Sequence, residues 1–518
     1  MDEVKLPPHS FILHIDLDCF YSQVEQLRLK SSYDEPFAVH QWGSILAVNY
    51  EARRHGVKRM MTLNQARKLC PNLSTVHTAT IALGSTEPEY HKTPSKATHK
   101  VSLQSYRIAS EKIHAVLRRV AGPDSVYQRA GTDEAFIDVT TRVRKEILSG
   151  VGAEYEKTTK TSDCPGPCEI WVLPNNAEDL FGWRIAARIC SEMRTAVKTE
   201  LGYNCSAGVS FSKIVSKLLS AEFKPNKQAT LTPLSVEEFM RHKPIQKISG
   251  FGGLFGEKVT QLLNIKWCGD LWEIPRRDLL RKFDLPTIEY ILSASRGVDA
   301  EEAVRDRPQS KSILAAKIFP ASHDVMSWVH VLVAELDDRV SEFVRRNSNV
   351  EAFASESATE QNLKMSYPKS ITLVLKWIEV EQETEECYEK ADNHPKTLTR
   401  TFPFQVPPKS MLSSDAAFAG ESRVKLLQNV LSNVELLMGE DTANHRFTSI
   451  SICILNFVEC SLSREEYTKN ALPDLHGSKK RKTAEGSTTL DNFLSGKKPT
   501  KPFKTETDAA GRVWIDLT

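Results

Sequence analysis

The sequence predicts an α+β protein made of two α+β units with a helical segment between them. In residues 11–240, short apolar runs such as FILHID and CSAGVSF are typical of strands, and they alternate with amphipathic runs such as GWRIAARICSEMRTAVKTEL that are typical of helices. The same alternation returns in residues 311–460, while residues 245–300 carry short helical patterns around a glycine cluster. Such alternation of both element types predicts packed layers of helix and sheet. Periodicity fades after residue 461, which predicts a disordered tail.

The composition is that of an ordinary globular protein. The 518 residues suffice for about three or four domains, and 26% of them are charged and 40% hydrophobic. We expect an intracellular protein, because the N-terminus MDEVKLPPHS is polar and no stretch approaches the roughly 20 apolar residues that a membrane span needs. The net charge of +2 does not by itself indicate nucleic acid. Ten scattered cysteines, including the pair Cys164 and Cys168, suit reduced thiols rather than a zinc site.

Four acidic residues in two distant segments form a candidate metal site. Asp16 ends an apolar run, Asp18 follows on the same face of the chain, and Asp133 and Glu134 occupy a predicted hairpin tip in RAGTDEAFIDVT. If these carboxylates converge without balancing lysines, their repulsion calls for divalent cations. Oxygen ligands favour magnesium or manganese, and two such ions support phosphoryl displacement. The alternative is that these acids only cap turns.

Two groups of basic residues suggest contacts with phosphates. The segment NYEARRHGVKR places Tyr50 and Arg53 at a predicted helix start with Arg59 just beyond, and guanidinium groups fit triphosphate oxygens. A solvated basic helix is the alternative. Lys224 precedes Pro225 and is therefore expected to lie beyond the end of its helix, where its ammonium group suits a triphosphate.

A glycine-rich turn in the helical segment resembles a helix-hairpin-helix. Glycines there let backbone N–H groups approach a phosphate closely, because no Cβ intervenes. An ordinary corner between two helices is the alternative. The glycines are Gly250, Gly252 and Gly253.

Six segments in fixed order resemble the successive blocks of Y-family translesion DNA polymerases. They are HIDLDCFYSQVEQ, NYEARRHGVKRMM, SLQSYRIAS, RAGTDEAFIDVT, GYNCSAGVSFSKIVSKL and FKPNKQ, and the resemblance spans about residues 11–460. It implies a right-hand architecture with a ferredoxin-like palm and small fingers, a helical thumb and an α+β little finger. The expected bounds are 1–240 for palm and fingers (fingers about 22–80), 241–305 for the thumb, 311–460 for the little finger and 461–518 for a disordered regulatory tail.

The resemblance also implies roles for individual residues. Two Mg2+ ions, with Mn2+ possible, would be bound by Asp16, the backbone carbonyl of Leu17, Asp133 and Glu134, which leaves Asp18 as a structural residue. Tyr21 would be the steric gate that excludes ribonucleotides. The remaining nucleotide and template contacts would come from Tyr50, Arg53 and Lys224 at the triphosphate, Arg59 over the base, and Gln41 at the template base.

The implied activity is template-directed DNA synthesis past damaged bases. Its substrates would be template-primer DNA and deoxynucleoside triphosphates. The block KSILAAKIFPASHDVMSWVHVLVAELDDRV favours the eta subfamily, which implies bypass of ultraviolet photoproducts. Some spacings instead favour the error-prone iota subfamily, and Gly131 and Thr132 depart from the family pattern before Asp133. The alternatives are a catalytically silent repair scaffold and a palm-fold nucleotidyl cyclase.

The tail carries three short candidate motifs. KKRK at 479–482 fits a nuclear import signal and predicts a nuclear protein. STTLDNFL resembles a peptide that binds the sliding clamp, with Leu490, Phe493 and Leu494 as its apolar anchors. The C-terminal VWIDLT resembles a SUMO-interacting strand, which would bind by β-augmentation.

Overall fold

The computed structural model divides the chain into two units, residues 1–472 and 473–518. The residues that it describes are 9–149, 169–172, 180–299, 304–305, 311–350, 353, 362–379, 395–412, 420–438, 445–469, 472, 505–507 and 513–515.

Seventeen strands are described. In chain order they are β1 Ile12–Leu17, β2 Phe37–Gln41, β3 Ser44–Val48, β4 Ser74–His77, β5 Thr80–Ala82, β6 His99–Val101, β7 Val126–Arg129, β8 Glu134–Asp138, β9 Glu169–Val172, β10 Cys205–Ser210, β11 Gln228–Leu231, β12 Ser312–Ser322, β13 Asn362–Glu379, β14 Lys396–Pro403, β15 His445–Ser463, β16 Thr505–Thr507 and β17 Val513–Ile515.

The described α-helices are, in chain order, α1 Phe20–Leu29, α2 Tyr50–Arg54, α3 Leu63–Leu69, α4 Gln104–Ala121, α5 Thr140–Leu148, α6 Phe181–Leu201, α7 Lys213–Glu222, α8 Val236–Arg241, α9 Leu254–Leu263, α10 Cys268–Trp272, α11 Arg276–Leu279, α12 Leu285–Ser295, α13 Met326–Arg346, α14 Pro408–Leu412, α15 Glu421–Met438 and α16 Arg464–Thr468. Two 3-10 turns, Pro233–Ser235 and Ile245–Lys247, flank α8. None of the helices described here combines the length and apolar character that crossing a bilayer requires.

A mixed six-stranded sheet in the order β7-β8-β1-β10-β11-β9 is the centre of the N-terminal body. Side chains alternate along β1, so Leu13, Ile15 and Leu17 enter a core shared with α4 and α6, while His14 and Asp16 lie on the opposite face. Helix α7 packs on that opposite face against β1 and β10. The predicted mixture of strands and helices is therefore confirmed, and its strand alternation separates an apolar face from a polar one.

A smaller body precedes α4 in the chain. Its three-stranded sheet has the order β3-β2-β4, with β2 and β3 antiparallel and β2 and β4 parallel. Helices α2 and α3 cover it, and their buried Ala52 and Ala66 join Ile45 and Val48 in a separate small core. This body presents the hairpin of β2 and β3 and the start of α2 to the site described below.

The helical segment after β11 includes the predicted glycine turn. The turn lies between the 3-10 turn Ile245–Lys247 and α9, which begins after Gly253. Gly250 has φ +90°, and a Cβ added there would lie 2.6 Å from the Tyr290 hydroxyl oxygen. Glycine is therefore required by both backbone conformation and space.

The C-terminal α+β region is a four-stranded sheet in the order β12-β15-β13-β14, entirely antiparallel. Helices α13 and α15 pack together, and α13 also packs against β12. Strand β15 runs to Ser463, where it pairs with Asn362, and α16 follows it. The folded region therefore continues past the expected boundary at 460, because β13 begins early enough to pair with the end of β15.

The second unit, residues 473–518, has two described strands. The backbone of β17 pairs antiparallel with that of β16, so part of VWIDLT is a strand. The residues predicted to bind the sliding clamp, Leu490, Phe493 and Leu494, lie outside the described residues. The same holds for the basic run 479–482 and for Cys164 and Cys168.

Candidate active site

Strand register brings the distant carboxylates together. Asp16 on β1 is directly opposite Glu134 on β8 in an antiparallel pair, so their side chains lie on the same face of the sheet. The backbone N–H of Leu17 donates to the carbonyl of Asp133 at 2.9 Å, which holds the hairpin tip beside the end of β1. The predicted convergence of Asp16, Asp133 and Glu134 therefore agrees with the fold.

Two lysines pair with these carboxylates, so part of the repulsion between the acids is already balanced. Lys224 forms an ion pair with Asp16, and Lys217 Nζ lies 2.7 Å from Glu134 Oε2. Helix α7 carries Lys217, and it ends at Glu222, so Lys224 follows it as predicted. The pairing with Glu134 arises because α7 packs across the sheet face that bears the acids, which sequence spacing does not reveal.

The two acids of the hairpin tip have opposite shifts in pKa. Hydrogen bonding from His14, together with Lys217, lowers the pKa of Glu134 to about 2. Burial raises the pKa of Asp133, and the negative charges of Asp16 and Glu134 raise it further. Added positive charge near Asp133 would therefore stabilise its ionised form.

The donor set fits a hard divalent cation. Carboxylate oxygens converge beside a backbone carbonyl, which is the ligand chemistry of Mg2+ and Mn2+. In the part of the chain that the structure describes, no three His, Cys, Asp or Glu side chains are already arranged around one ion position. In this arrangement the positive charge beside the acids comes from two ammonium groups, that of Lys224 at Asp16 and that of Lys217 at Glu134.

Asp18 has different surroundings from those of Asp16. Its side chain is buried and accepts hydrogen bonds from the Ser206 hydroxyl at 2.8 Å and the Asn226 backbone N–H at 2.6 Å. Burial raises the pKa of Asp18. These bonds tie the end of β1 to β10 and to the segment after Lys224, which agrees with the structural role expected for Asp18.

One cavity of about 490 Å³ collects most of the predicted site residues. Its lining includes Asp16, Leu17, Tyr21, Gln41, Arg53, Arg59, Asp133 and Lys224. Glu134 lies across the strand pair from Asp16, and the three predicted turn glycines are not part of this lining. The cavity thus has a carboxylate wall from the six-stranded sheet and a cationic wall from the smaller body and the segment after α7.

The cationic wall depends on the short helix α2. Asn49 caps this helix by accepting a hydrogen bond from the Ala52 N–H at 3.0 Å, which fixes where the helix begins. The Arg53 guanidinium lies over the Tyr50 ring at 4.6 Å from its centroid, and its Nε donates to the Val48 carbonyl at 3.1 Å. Both predicted residues therefore lie together at the helix start, with Arg53 facing the cavity.

Tyr21 is supported by residues that the sequence did not single out. Its ring stacks on that of Tyr106, with centroids 4.0 Å apart and an interplanar angle of 12°. The Tyr106 hydroxyl donates to the buried carboxylate of Glu25 at 2.7 Å, and the Tyr90 hydroxyl donates to it at 2.9 Å. The only sequence signal was that Tyr106 lies in the block SLQSYRIAS.

Two family models match the chain. The impB/mucB/samB family model matches residues 15–221, which contain the carboxylates and the smaller body. A model described as DNApol eta/Rev1, HhH motif, matches residues 243–298 and so identifies the predicted glycine turn as part of a helix-hairpin-helix.

Relatives that share this region include an acetyltransferase and DNA polymerases. An N-acetyltransferase, eso1, of Schizosaccharomyces pombe is 32% identical over 65% of this chain and 41% of its own length. DNA polymerase eta of Drosophila melanogaster is 32% identical over 65% of this chain and 40% of its own length. DNA polymerase iota of Homo sapiens is 28% identical over 70% of this chain and 46% of its own length.

The matched part of the chain spans less than half the length of each of these three relatives. The two family models cover both the sheet that bears the carboxylates and the helical segment that follows it. The matched regions of the chain therefore resemble those of Y-family DNA polymerases, including their eta branch.

Proposed function

We propose that this protein is a template-directed DNA polymerase that synthesises DNA past damaged bases. The observation that supports this most is the cavity that brings Asp16 and Asp133 together with Arg53, Arg59 and Lys224. Acids and cations lining one cavity suit a triphosphate with its metal ions. The resemblance to Y-family DNA polymerases makes DNA synthesis the activity to expect of such a cavity.

Two Mg2+ ions, or Mn2+ in their place, would be held by Asp16, the backbone carbonyl of Leu17, Asp133 and Glu134. When bound, such ions activate one oxygen and stabilise another in nucleotidyl transfer. The protein's own contribution is to hold these oxygens on adjacent strands of a rigid sheet, so that little reorganisation is needed during the reaction. Lys217 and His14 hold Glu134 from the side of α7 and β1.

The cationic side chains would bind the incoming deoxynucleoside triphosphate. Arg53 and Lys224 contribute positive charge to the triphosphate, with Tyr50 beside Arg53. Arg59 would lie over the nucleotide base and Gln41, at the end of β2, would contact the template base. Both side chains line the same cavity as Asp133, which supports this assignment.

Tyr21 would act as the steric gate. A ring fixed beneath the sugar leaves no room for a 2′-hydroxyl group, so ribonucleotides are excluded. The stack on Tyr106 restricts the Tyr21 ring, because Tyr106 is itself fully buried and hydrogen-bonded to Glu25. Discrimination by steric exclusion requires a ring that cannot move aside.

Template-primer DNA would bind mainly through phosphates. The turn of Gly250, Gly252 and Gly253 would offer backbone N–H groups to one strand, and basic residues of the helical and C-terminal regions would add sequence-independent attraction. Binding should therefore weaken steeply with salt. We further propose two divisions of the chain: palm and fingers in 1–240 with a thumb in 241–305, and a little finger in the C-terminal α+β region.

The tail would connect the enzyme to partners. Leu490, Phe493 and Leu494 would bind the sliding clamp, and VWIDLT would pair with SUMO as an added strand. The basic run at 479–482 supports a nuclear location. Deleting 487–494 should weaken clamp binding and leave basal synthesis unchanged.

Primer extension by the purified full-length protein tests the proposed activity. Asp133→Ala combined with Glu134→Ala should abolish extension, whereas Glu200→Gln, on the exposed face of α6, should match the wild type. Extension by the double variant at the wild-type rate would contradict the metal assignment, whereas a wild type that does not extend a primer would favour a scaffold. Product formed without template would favour the nucleotidyl cyclase.

The lesion preference needs a separate comparison. We propose bypass of ultraviolet photoproducts, since residues 243–298 match a helix-hairpin-helix model described for eta and Rev1. Extension across a thymine dimer should proceed at a rate similar to that on an undamaged template. Arrest of synthesis at the dimer, or frequent misinsertion opposite undamaged thymine, would instead favour iota-like behaviour.

A further inference from the structure

The loop that carries Asp133 is held by side chains from a neighbouring helix and strand. This loop, Ala130–Asp133, connects β7 to β8. Its N–H groups at Ala130 and Gly131 both donate to the Glu134 carbonyl at 3.1 Å, so the loop is tightly closed at its base. The carbonyl groups of Gly131 and Thr132 instead face side chains of α4 and β7, from which they accept hydrogen bonds.

Three side chains supply those donors. The Ser110 hydroxyl, on α4, donates to the Thr132 carbonyl. Arg129 Nε, on β7, donates to the Gly131 carbonyl at 3.2 Å, and Arg129 also donates to the Ser110 hydroxyl oxygen at 2.6 Å. His114 Nε2 lies 3.2 Å from the same Gly131 carbonyl. The loop is thus fixed at two consecutive carbonyls immediately before Asp133.

His114 is restricted to one hydrogen-bonding arrangement. Its Nδ1 lies 2.6 Å from the Tyr127 hydroxyl oxygen, and burial lowers its pKa to about 4, so it is neutral near pH 7. Because a carbonyl only accepts, Nε2 must carry the proton and donate to Gly131, while Nδ1 accepts from Tyr127. The imidazole therefore connects the buried hydroxyl of β7 to the loop.

The loop lies directly against the acids. A Cβ added at Gly131 would lie 3.1 Å from Glu134 Cγ and 3.8 Å from Asp133 Oδ1. Because Asp133 belongs to this loop and Glu134 follows it directly, a small shift of the loop would alter the position of both carboxylates relative to Asp16. Positioning groups of this kind outside a site have large effects where ligand geometry must be held closely.

We propose that His114 is a positioning residue for Asp133, acting with Ser110 and Arg129 through the carbonyls of Gly131 and Thr132. This inference rests on the proposed function, because it assigns a role in the geometry of the carboxylate site. His114 contacts neither nucleotide nor the reacting atoms, since its partners are a backbone carbonyl and a tyrosine hydroxyl. Its effect is therefore transmitted through the loop.

Two variants of His114 separate positioning from mere packing. His114→Gln retains an N–H donor near the position of Nε2, whereas His114→Leu fills similar space without any donor. Arg119→Ala on the same helix, whose partner is the exposed Glu200, is the matched control. Each full-length protein is measured for single-turnover primer extension with Mg2+ over a range of deoxynucleotide concentrations, and for hydrogen exchange of peptides covering 129–135 without DNA or metal.

The expected result has three parts. His114→Leu lowers the maximal rate by about 10- to 100-fold while the half-saturating nucleotide concentration stays within about threefold of the wild type. It also speeds hydrogen exchange of the loop, and His114→Gln restores both properties at least in part. Arg119→Ala leaves both unchanged.

Three outcomes overturn the inference. They are a wild-type rate in His114→Leu, unchanged loop exchange in that variant, and a loss of rate that His114→Gln shares in full. The proposed function fails differently: in that case the wild type itself does not extend a primer, or the Asp133 and Glu134 double variant extends it normally. The exchange measurement remains readable in both situations, so the two failures can be told apart.

Discussion

Acidification should destabilise the N-terminal body through His114. Burial lowers the pKa of this imidazole from 6.5 to about 4 in the folded protein, so the unfolded chain binds a proton in a range where the folded chain does not. The contribution of neutral His114 to stability is therefore complete above about pH 6.5 and is lost as the pH falls toward 4. Since one pKa unit corresponds to about 1.4 kcal/mol, the loss amounts to about 3 kcal/mol.

His114→Gln isolates this contribution, because glutamine does not titrate. The free energy of unfolding of the wild type minus that of His114→Gln should fall by about 3 kcal/mol between about pH 7.5 and pH 4. This fall does not depend on which of the two proteins is more stable at the higher pH. Hydrogen exchange of peptides from α4 measures the opening free energy of this body alone. Comparing both proteins at each pH cancels the pH dependence of exchange chemistry and of all other groups.

The exposed His242 provides the matched control. His242 follows the end of α8 and 73% of its side chain is accessible, so His242→Gln tests the effect of replacing an imidazole outside the core. A wild-type to His114→Gln difference that stays constant between the two pH values would refute the reasoning. It would mean that the imidazole takes up its proton as readily in the folded protein as in the unfolded one.

Three further predictions concern the site and its supports. Tyr21→Ala should raise the ratio of ribonucleotide to deoxynucleotide incorporation by about tenfold or more in steady-state primer extension, and unchanged sugar selectivity would rule out the gate. Tyr106→Phe removes one donor from the buried Glu25 carboxylate and should lower the free energy of unfolding by about 1.5–3 kcal/mol in urea titrations, unless the carboxylate finds another donor. Gly208→Ala would place a Cβ 2.0 Å from the Ser216 carbonyl oxygen, so α7 must move off β10; thermal unfolding at the wild-type temperature would contradict this close packing.

The sequence alone determined the elements whose signals are local. The apolar run that ends in Asp16 indicated a buried strand, and Asp16 and Asp18 were placed on one face because side-chain direction along a strand has a fixed period of two. The residue before a proline avoids helical conformation, so the position of Lys224 beyond α7 was also predictable. Glycines at the turn before α9 were recognisable for a similar local reason.

Edge strands and charge balance were decided by the tertiary structure. The polar surroundings of 169–172 gave no strand signal, yet these residues form β9, because the exposed edge of β11 offers them backbone hydrogen bonds. The pairing of Lys217 with Glu134 depends on the packing of α7 across the sheet, which joins residues 83 positions apart. Side-chain type predicted neither result.

The supports of the site likewise required the folded chain. Two of these supports are polar residues on helices: Glu25 accepts from the Tyr106 hydroxyl, and His114 donates to the Gly131 carbonyl. Their positions in the sequence resemble those of polar residues on any amphipathic helix. Their importance comes from burial, since a buried polar group must find its partner inside the protein, and which partner it finds depends on how separate elements pack. The sequence thus determined which side chains could perform the chemistry, and the packing of α1, α4 and α7 against the sheet determined how they are held.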